Sequence, residues 1–573
     1  MKLGQPIRRR PTPDAALRAA LETRLGCPVL ARVYAARGVA VDDVTYATQR
    51  LLPPDSLLGM DAATALAARV LTDGGRLLVV ADYDADGATG CALAVRGLRA
   101  LGAAAVEYLV PSRFTTGYGL SAEVAEAALA RRPDLVLTVD NGITAFDGIT
   151  RLRAAGVPVV VTDHHLPGNQ LPAADAIVNP RLPGDGFPSK HLAGVGVMFY
   201  LLLALRARLR AMGWFDAARP EPNLARLLDL VALGTVADVV PLDYNNRLLV
   251  AQGLSRLNTG GGQPGVRALL GLGAGKARLT AGDLAFRAGP RLNAAGRMDD
   301  MSLGIECLLT DDPSTAADMA AQLDALNHER RAVEAQMQAQ ATARTDALPD
   351  PLPAALCLHD ADWHPGVIGI VAARLRERYG RPAVAFAPGE GGRWRGSARS
   401  LPGVHIRDAL AAVAASQPGL IEKFGGHAMA AGLTLPGEHL ARFAAALNEA
   451  VLAQAGGALP EDALLSDGSL DPALLTVELA ARLHGGGPWG QGFAAPLFDD
   501  VFELCGQRVV GTDHLRVQLA PVGGGAPVQA IAWRAAALHD QLGPRLRVAY
   551  RPQVNDWRGQ RQLQLLVEGL TTI

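Results

Sequence analysis

The chain has 573 residues, 49% of them hydrophobic, more than a single core accommodates, so several domains are expected. Its 55 basic and 56 acidic side chains nearly cancel, which excludes a globally basic nucleic-acid binder and leaves only a local surface for such a partner. Five scattered cysteines without a C-x-x-C pair argue against a disulfide framework or a zinc knuckle, and the longest apolar run, Val195 to Leu205, is too short for a bilayer, so the reading is a soluble protein of a reducing cytoplasm with no membrane partner.

Residues 1–70 read as a helical accessory segment with turn signals at Gly26 and Pro53-Pro54. Residues 71–311 form the first α/β domain: the short apolar runs Leu77 to Ala81, Val106 to Val110, Leu135 to Val139, Val157 to Thr162 and Ala176 to Val178 alternate with helical segments, which predicts a parallel sheet. Residues 312–348 predict a long connecting helix, with Met319, Leu323, Leu326, Val333 and Met337 at helical spacing and Ser314 as its N-cap. A second α/β domain follows over 349–457, carrying strand-like Leu356 to Leu358 and Pro382 to Phe386. Residues 458–573 alternate with period two, as in His514 to Leu519 and Arg561 to Leu565, and predict a small β-barrel.

Candidate chemistry gathers where the strands end. Asp82, Asp84 and Asp86 follow directly on Leu77 to Ala81, and the carboxyl ends of parallel strands line the ligand crevice of such sheets. Carboxylates about 5.5 Å apart repel by roughly 3 kcal/mol per pair at an effective dielectric near 20, so partial burial of this loop calls for a cation. An EF-hand is the obvious competitor to D-x-D-x-D-G, but its twelfth position is Leu93 where a bidentate Glu is required, and a strand, not a helix, leads in. A merely solvated acidic turn is the bland alternative. Asp140, before Asn141-Gly142, and Asp163-His164-His165 stand at equivalent strand ends, while Asp238 ends an apolar helical run. Carboxylates bridge and neutral imidazoles ligate, so this set suits a pair of divalent ions.

Asp84-Ala85-Asp86, Asp140-Asn141-Gly142, Asp163-His164-His165 and Gly234-Thr235-Val236-Ala237-Asp238, in that order, resemble the four motifs of the DHH phosphoesterase family. The segments Gly289 to Met298, Trp363 to Ile370 and Gly425 to Gly432 resemble its branch of bacterial single-stranded-DNA exonucleases, and the likeness runs from about Ala31 onward. The resemblance implies that Asp82 and Asp84 hold one metal, that Asp86, His164 and Asp238 hold the other, and that Asp140 bridges them. It further implies Mn²⁺ at both positions with Mg²⁺ as substitute, a water between the metals as nucleophile, His165 polarising the phosphate and Asp163 orienting an imidazole. Asp82 stands where the family's smaller pyrophosphatase-like members carry His, which fits the exonuclease branch.

In the second domain Arg393, Arg395, Arg399 and Arg407 lie close together, and Ser397 with Arg399 combines a hydroxyl and a guanidinium as a phosphate cradle requires; a solvated basic strand is the alternative. Arg297, Ser397 and Arg399 are expected to bind a terminal phosphate, with Arg113 and Arg291 as further contacts. His427 is either a substrate contact or a satisfied loop histidine, and Tyr118 either stacks on a base or packs. The terminal barrel resembles an OB-fold, and its Arg516, Arg534, Arg545, Arg547, Arg551, Arg558 and Arg561 with Trp533, Tyr550 and Trp557 are the mixture that tracks single strands, Trp533 being equally able to fill a core. The expectation is a monomeric 5′→3′ exonuclease acting on single-stranded DNA in recombination and repair, with a single-strand-binding protein and a helicase as implied partners. Its rivals are a hydrolase of short oligonucleotides or nucleotide phosphates, against which the barrel speaks, and a non-catalytic DNA-binding scaffold, which should have lost ligands.

Overall fold

A computed structural model describes residues 3–113, 119–271, 278–461, 463–557 and 560–573. They fall into two compact units, one of Arg37–His328 with His484–Ala495, the other of Met1–Ala36, Glu329–Leu483 and Pro496–Ile573.

In the first unit five strands pair in the order Ala105–Leu109, Arg76–Ala81, Leu135–Val139, Val159–Thr162, Ala176–Val178, all parallel. Leu135–Val139 and Val159–Thr162 are buried at every position, which is why they read as unbroken apolar runs rather than alternating ones. On one face Val124 and Ala128 of the helix Ala122–Ala130, with Ile149 and Leu152 of Phe146–Ala154, pack on Leu78, Val80, Val136 and Val161. The helices Ala85–Ala100 and Gly194–Ala211 pack against each other and against strands of this sheet. Strand order reverses between the neighbours Arg76–Ala81 and Leu135–Val139, so a crevice opens beyond their carboxyl ends, where Asp82 and Asp140 stand.

The helix Pro313–Asp346 covers the expected connecting segment, but its start differs from the sequence reading. Asp312, not Ser314, caps it, its Oδ2 accepting from the Thr315 N–H at 2.8 Å, and Pro313 takes the first position, where a missing N–H costs nothing.

The second unit holds a five-stranded sheet in the order Lys423–Gly426, Ala430–Pro436, Arg393–Arg399, Ala383–Pro388, Leu356–His359, antiparallel except for the last pair. Phe386, Ala398, Leu433 and Leu435 of this sheet share a core with Ile406 and Leu410 of Ile406–Ser416 and Phe443 and Leu447 of Leu440–Gln454. The barrel closes in the order Phe498–Val510, His514–Pro521, Val528–Ala532, Gln560–Thr572, Arg545–Trp557 and back to the first. A ring of five strands cannot be antiparallel throughout, and the one parallel ladder joins Val528–Ala532 to Gln560–Thr572. Leu515, Val517 and Leu519 alternate inward, as the period-two pattern requires.

Two stretches cluster differently from the expected domains. Residues 1–70 are not one accessory segment. The strand Ile7–Arg9 pairs in parallel with Leu464–Ser466, and Leu3 bridges Leu570, so the first 36 residues cluster with the barrel, whereas residues from Arg37 onward cluster with the parallel sheet. Residues 484–495, expected in the barrel domain, also belong to the first unit: the Leu242 N–H donates to the Gln491 carbonyl at 2.7 Å and the Arg247 guanidinium lies over the Phe493 ring.

Candidate active site

Each carboxylate of the crevice is fixed by a different device. Asp84 caps the helix Ala85–Ala100, its Oδ1 accepting from the Asp86 and Gly87 N–H groups at 2.9 and 3.0 Å. Asp86 is buried and turns to another helix: its Oδ2 and Oδ1 accept from the Gly194 and Val195 N–H groups at 2.6 and 2.9 Å, at the start of Gly194–Ala211. Asp140 adopts a left-handed backbone, φ 62°, that costs on the order of 1 kcal/mol or more and is held by its N–H on the Thr162 carbonyl. Asp238 ends the buried helix Leu228–Ala237. Around His164 Nε2 stand Asp140 Oδ1 at 3.0 Å, Asp238 Oδ2 at 3.5 Å and Asp86 Oδ2 at 3.9 Å.

Ligand atoms of Asp82, Asp84 and Asp140 lie within 4.8 Å of one another, as do those of Asp86, His164 and Asp238, and those of Asp140, His164 and His165. Burial, then the neighbouring carboxylates, push Asp82, Asp140 and Asp238 well above the ordinary carboxylate range, and push Asp86 up to about 7. Asp82 Oδ1 is buried without a hydrogen-bond partner among the described residues. Buried carboxylates that raise one another's pKa, joined by an imidazole, fit divalent cations of the Mg²⁺ or Mn²⁺ kind.

Asp163 is differently employed. Its Oδ1 accepts from the His164 and His165 N–H groups at 2.7 and 3.1 Å and lies 2.7 Å from His165 Nδ1, while Oδ2 accepts from the Ile143 N–H at 2.9 Å. Burial alone would raise Asp163, but the charge and hydrogen bond of His165 outweigh it and draw it to about 2; burial likewise opposes the charged His165, yet Asp163 raises it to about 9. With Nδ1 so held, the imidazolium keeps Nε2–H as its other donor.

Close approaches depend on glycine. A Cβ on Gly194 would lie 2.5 Å from Asp140 Cβ, and one on Gly296 would run into the Tyr83 carbonyl. The helix Gly289–Met298 thereby rests on the Asp82–Asp86 loop, where Asn293 Oδ1 accepts from the Ala85 N–H at 3.0 Å. Arg113 Nε donates to the Gly296 carbonyl at 3.0 Å, its guanidinium stacks 4.1 Å from the Tyr83 ring centroid, and the field of Arg297 also reaches Tyr83.

In the second unit, Arg399 Nη1 donates to Ser397 Oγ at 3.0 Å and to the Ala398 carbonyl at 2.8 Å, and no carboxylate among the described residues lies within ion-pair distance. Burial, then the charge of Arg376, lower its pKa. Gly369, in the first turn of the helix Ile368–Tyr379, packs directly over both side chains. Ser397 pairs with Ala385 on one side and Gly432 on the other, and Gly432 with Gly425, so on the Gly432 side of the hydroxyl the sheet carries no side chains. His427 sits in the turn after that strand, its N–H on the Ala430 carbonyl at 2.7 Å.

Residues 76–235 match the DHH family N-terminal domain, 352–453 the DHHA1 domain and 466–569 the RecJ OB domain. The single-stranded-DNA-specific exonuclease RecJ of Escherichia coli is 48% identical over 554 residues, 95% of this chain and 96% of that protein. The chain belongs to the RecJ family. Two crystal structures of RecJ from Thermus thermophilus are similar: the complex with Mn²⁺, 33% identical with TM-score 0.81, and the complex with Mg²⁺, 31% identical with TM-score 0.75, each covering 98% of this chain and 78% of the solved one.

Several sequence-derived candidates are placed differently in this RecJ-family chain. Arg291 is committed to structure, its Nε 2.6 Å from Asp324 and its Nη1 on the Leu269 carbonyl. Arg393 is ion-paired to Glu422 at 2.6 Å. In the barrel Tyr550 is core, bonded to Asp500 at 2.7 Å, and Arg545, Arg547 and Arg551 carry ion pairs, whereas Trp533 is 54% exposed and stands edge-on to His514. Tyr118, Arg558 and the Trp557 side chain lie outside the described residues. The sequence reading missed Asn179, fully buried, whose Nδ2 donates to the His165 carbonyl at 2.9 Å. The signal was available, since Asn179 comes directly after the strand Ala176–Val178 as the ligands do after theirs.

Proposed function

We propose that this chain hydrolyses single-stranded DNA from its 5′ end to 5′-mononucleotides, in recombination and repair. The observation that carries the reading is the convergence of Asp82, Asp84, Asp86, Asp140, His164 and Asp238 in one crevice of a RecJ-family chain. In this reading Asp82 and Asp84 would hold one divalent ion, Asp86, His164 and Asp238 would hold the other, and Asp140 would serve both. Ions held there would supply activation of a water and neutralisation of charge on the phosphate oxygens. His165, hydrogen-bonded through Nδ1 to Asp163, donates its Nε2–H to a non-bridging phosphate oxygen as charge develops. Arg297 and Arg113 serve the same unit as substrate contacts. Ser397 and Arg399, over the side-chain-free floor of Gly432 and Gly425, take the 5′-terminal phosphate, whose extra charge a guanidinium favours, with His427 at the rim.

Mn²⁺ serves better than Mg²⁺, because an imidazole is among the ligands. The exposed Trp533, with Arg516, Arg534 and Arg561, which have no carboxylate within ion-pair distance among the described residues, binds the strand beyond the cleavage point. The enzyme works as a monomer in the cytoplasm, with a single-strand-binding protein and a helicase supplying its substrate; its five cysteines are free, and no helix among the described residues is long and apolar enough to cross a membrane. The test is product analysis on single strands labelled at either end, with Mn²⁺. Mononucleotides released first from the 5′ label are expected, and release from the 3′ label overturns the polarity.

A further inference from the structure

The fifth strand of the parallel sheet, Ala176–Val178, ends at the same carboxyl edge as the strands that carry Asp82, Asp140 and His164, and it delivers Asn179-Pro180-Arg181 there. Asn179 is a two-sided tie. Its Nδ2 donates to the His165 carbonyl at 2.9 Å and its Oδ1 accepts from the Arg181 N–H at 2.8 Å, so the backbone of Arg181 is fixed to the Asp163-His164-His165 loop through one buried side chain. Arg181 also lies within the field of the metal-site residue Asp238.

Beside this tie runs an open groove of about 490 Å³, lined by Leu166, Pro180, Arg181, Lys190 and His191 among others. Leu166 follows His165 directly and is 44% exposed, so the groove starts at the metal-site loop. The charges along it are unequally available. Asp185 is already matched, its Oδ1 2.7 Å from Lys190 Nζ and its carboxylate accepting from the Leu58 and Phe187 N–H groups at 2.8 and 2.9 Å. Arg181 makes one side-chain bond, from Nε to the Lys190 carbonyl at 3.2 Å, and no carboxylate among the described residues lies within ion-pair distance. Its terminal nitrogens, which make no hydrogen bond among the described residues, are the groove's available cation.

We propose that Arg181 binds the internucleotide phosphate next to the scissile one on the uncleaved side of the strand, with Leu166 and Pro180 against the intervening nucleotide. The groove is open rather than closed, as a continuing strand requires and a chain end does not, and an internal phosphodiester carries the single charge that one guanidinium matches. The contact would set register, placing the next bond over the metals after each mononucleotide leaves. This inference rests on the nuclease reading above.

The test uses the full-length chain and a 5′-phosphorylated trinucleotide whose second internucleotide linkage is either a phosphate or a neutral methylphosphonate. For the wild type the neutral linkage should lower kcat/KM about 10- to 100-fold, the loss of one charged hydrogen-bond set. In Arg181→Gln the same change should cost almost nothing, and the trinucleotide should become no better a substrate than the 5′-phosphorylated dinucleotide, which lacks that phosphate. Arg181→Lys, which keeps the charge without the fork, should fall between. Equal penalties in wild type and Arg181→Gln overturn the contact. Binding of both trinucleotides with Ca²⁺ is measured in parallel, so that a wild type without turnover, which would refute the nuclease reading, still scores the Arg181 contact by its own difference. Unchanged Mn²⁺ affinity in Arg181→Gln separates a lost phosphate contact from a collapsed metal site.

Discussion

Gly194 supplies no ligand, yet its replacement by alanine should cripple the metal centre, whereas the same change two residues on should not. The new Cβ at 194 would meet Asp140 Cβ at 2.5 Å and both Asp140 Cα and Cγ at 2.8 Å, against ordinary contact from 3.4 Å outward, so about 1 Å must be found. Asp140 cannot swing aside, because the clash includes its own Cα and its N–H is bonded to Thr162. The helix start cannot back away either without releasing Asp86 from the Gly194 and Val195 N–H groups. Overpacking of this kind costs about 1 to 3 kcal/mol, and metal ligands tolerate only a few tenths of an ångström, so Mn²⁺ affinity should fall about 10- to 100-fold with a comparable loss of turnover. At Gly196 the added Cβ meets chiefly the Leu192 Cδ2 methyl, at 3.2 Å, and alanine is the better helix former, so Gly196→Ala should stay within about 1 kcal/mol of wild type. Calorimetric Mn²⁺ titration of both variants, with thermal unfolding in chelator, makes the comparison. Wild-type Mn²⁺ affinity in Gly194→Ala would refute the reasoning.

Three further outcomes are expected. His165, raised to about 9, stabilises the metal-free protein fully below its unperturbed value near 6.5 and loses that contribution as pH rises through 9, whereas Asp163, lowered to about 2, contributes above about 4 and loses its share as pH falls through 2. Unfolding in chelator should therefore show a loss of stability between pH 6.5 and 9 that Asp163→Asn lacks, and a parallel profile in that variant would dissolve the pair. Arg399→Ala should erode the rate advantage of 5′-phosphate over 5′-hydroxyl substrate by about 1.5 to 3 kcal/mol, read as a ratio of kcat/KM, and an unchanged ratio places end recognition elsewhere. Trp533→Ala should weaken binding of long single strands by about 1 to 3 kcal/mol while sparing short ones, and equal affinity by fluorescence anisotropy removes Trp533 from the strand path.

The acids and histidines that gather in the crevice were legible because the sheet obeys a rule that sequence displays: apolar runs mark strands, and the residues just past a strand's carboxyl end line the crevice. Applied only to strands ending in acids or histidines, that rule passed over Asn179 and Arg181. Arg291 looked like a phosphate contact because its partner, Asp324, lies 33 residues further on in another helix, a distance no local pattern bridges. Tyr550 carried an aromatic ring on an alternating strand, and whether such a ring stacks on a base or fills a barrel depends on which face the register turns inward. The glycines at 194 and 296 are spaced like any others, and only the packing of a second helix or loop against them reveals why no side chain fits.

The ladder between Ile7–Arg9 and Leu464–Ser466 joins two segments far apart in the chain. Ile7 finds its neighbour 457 residues further on, so during translation the strand waits roughly 20 to 90 s with its edge unpaired. An apolar edge exposed for that long invites pairing with other nascent chains. Arg8, Arg9 and Arg10 keep this one charged until Glu461, Asp499 and Asp467 arrive, and each arginine then closes an ion pair with one of them. The same three residues that shield the waiting edge thus become the clasp that fastens it.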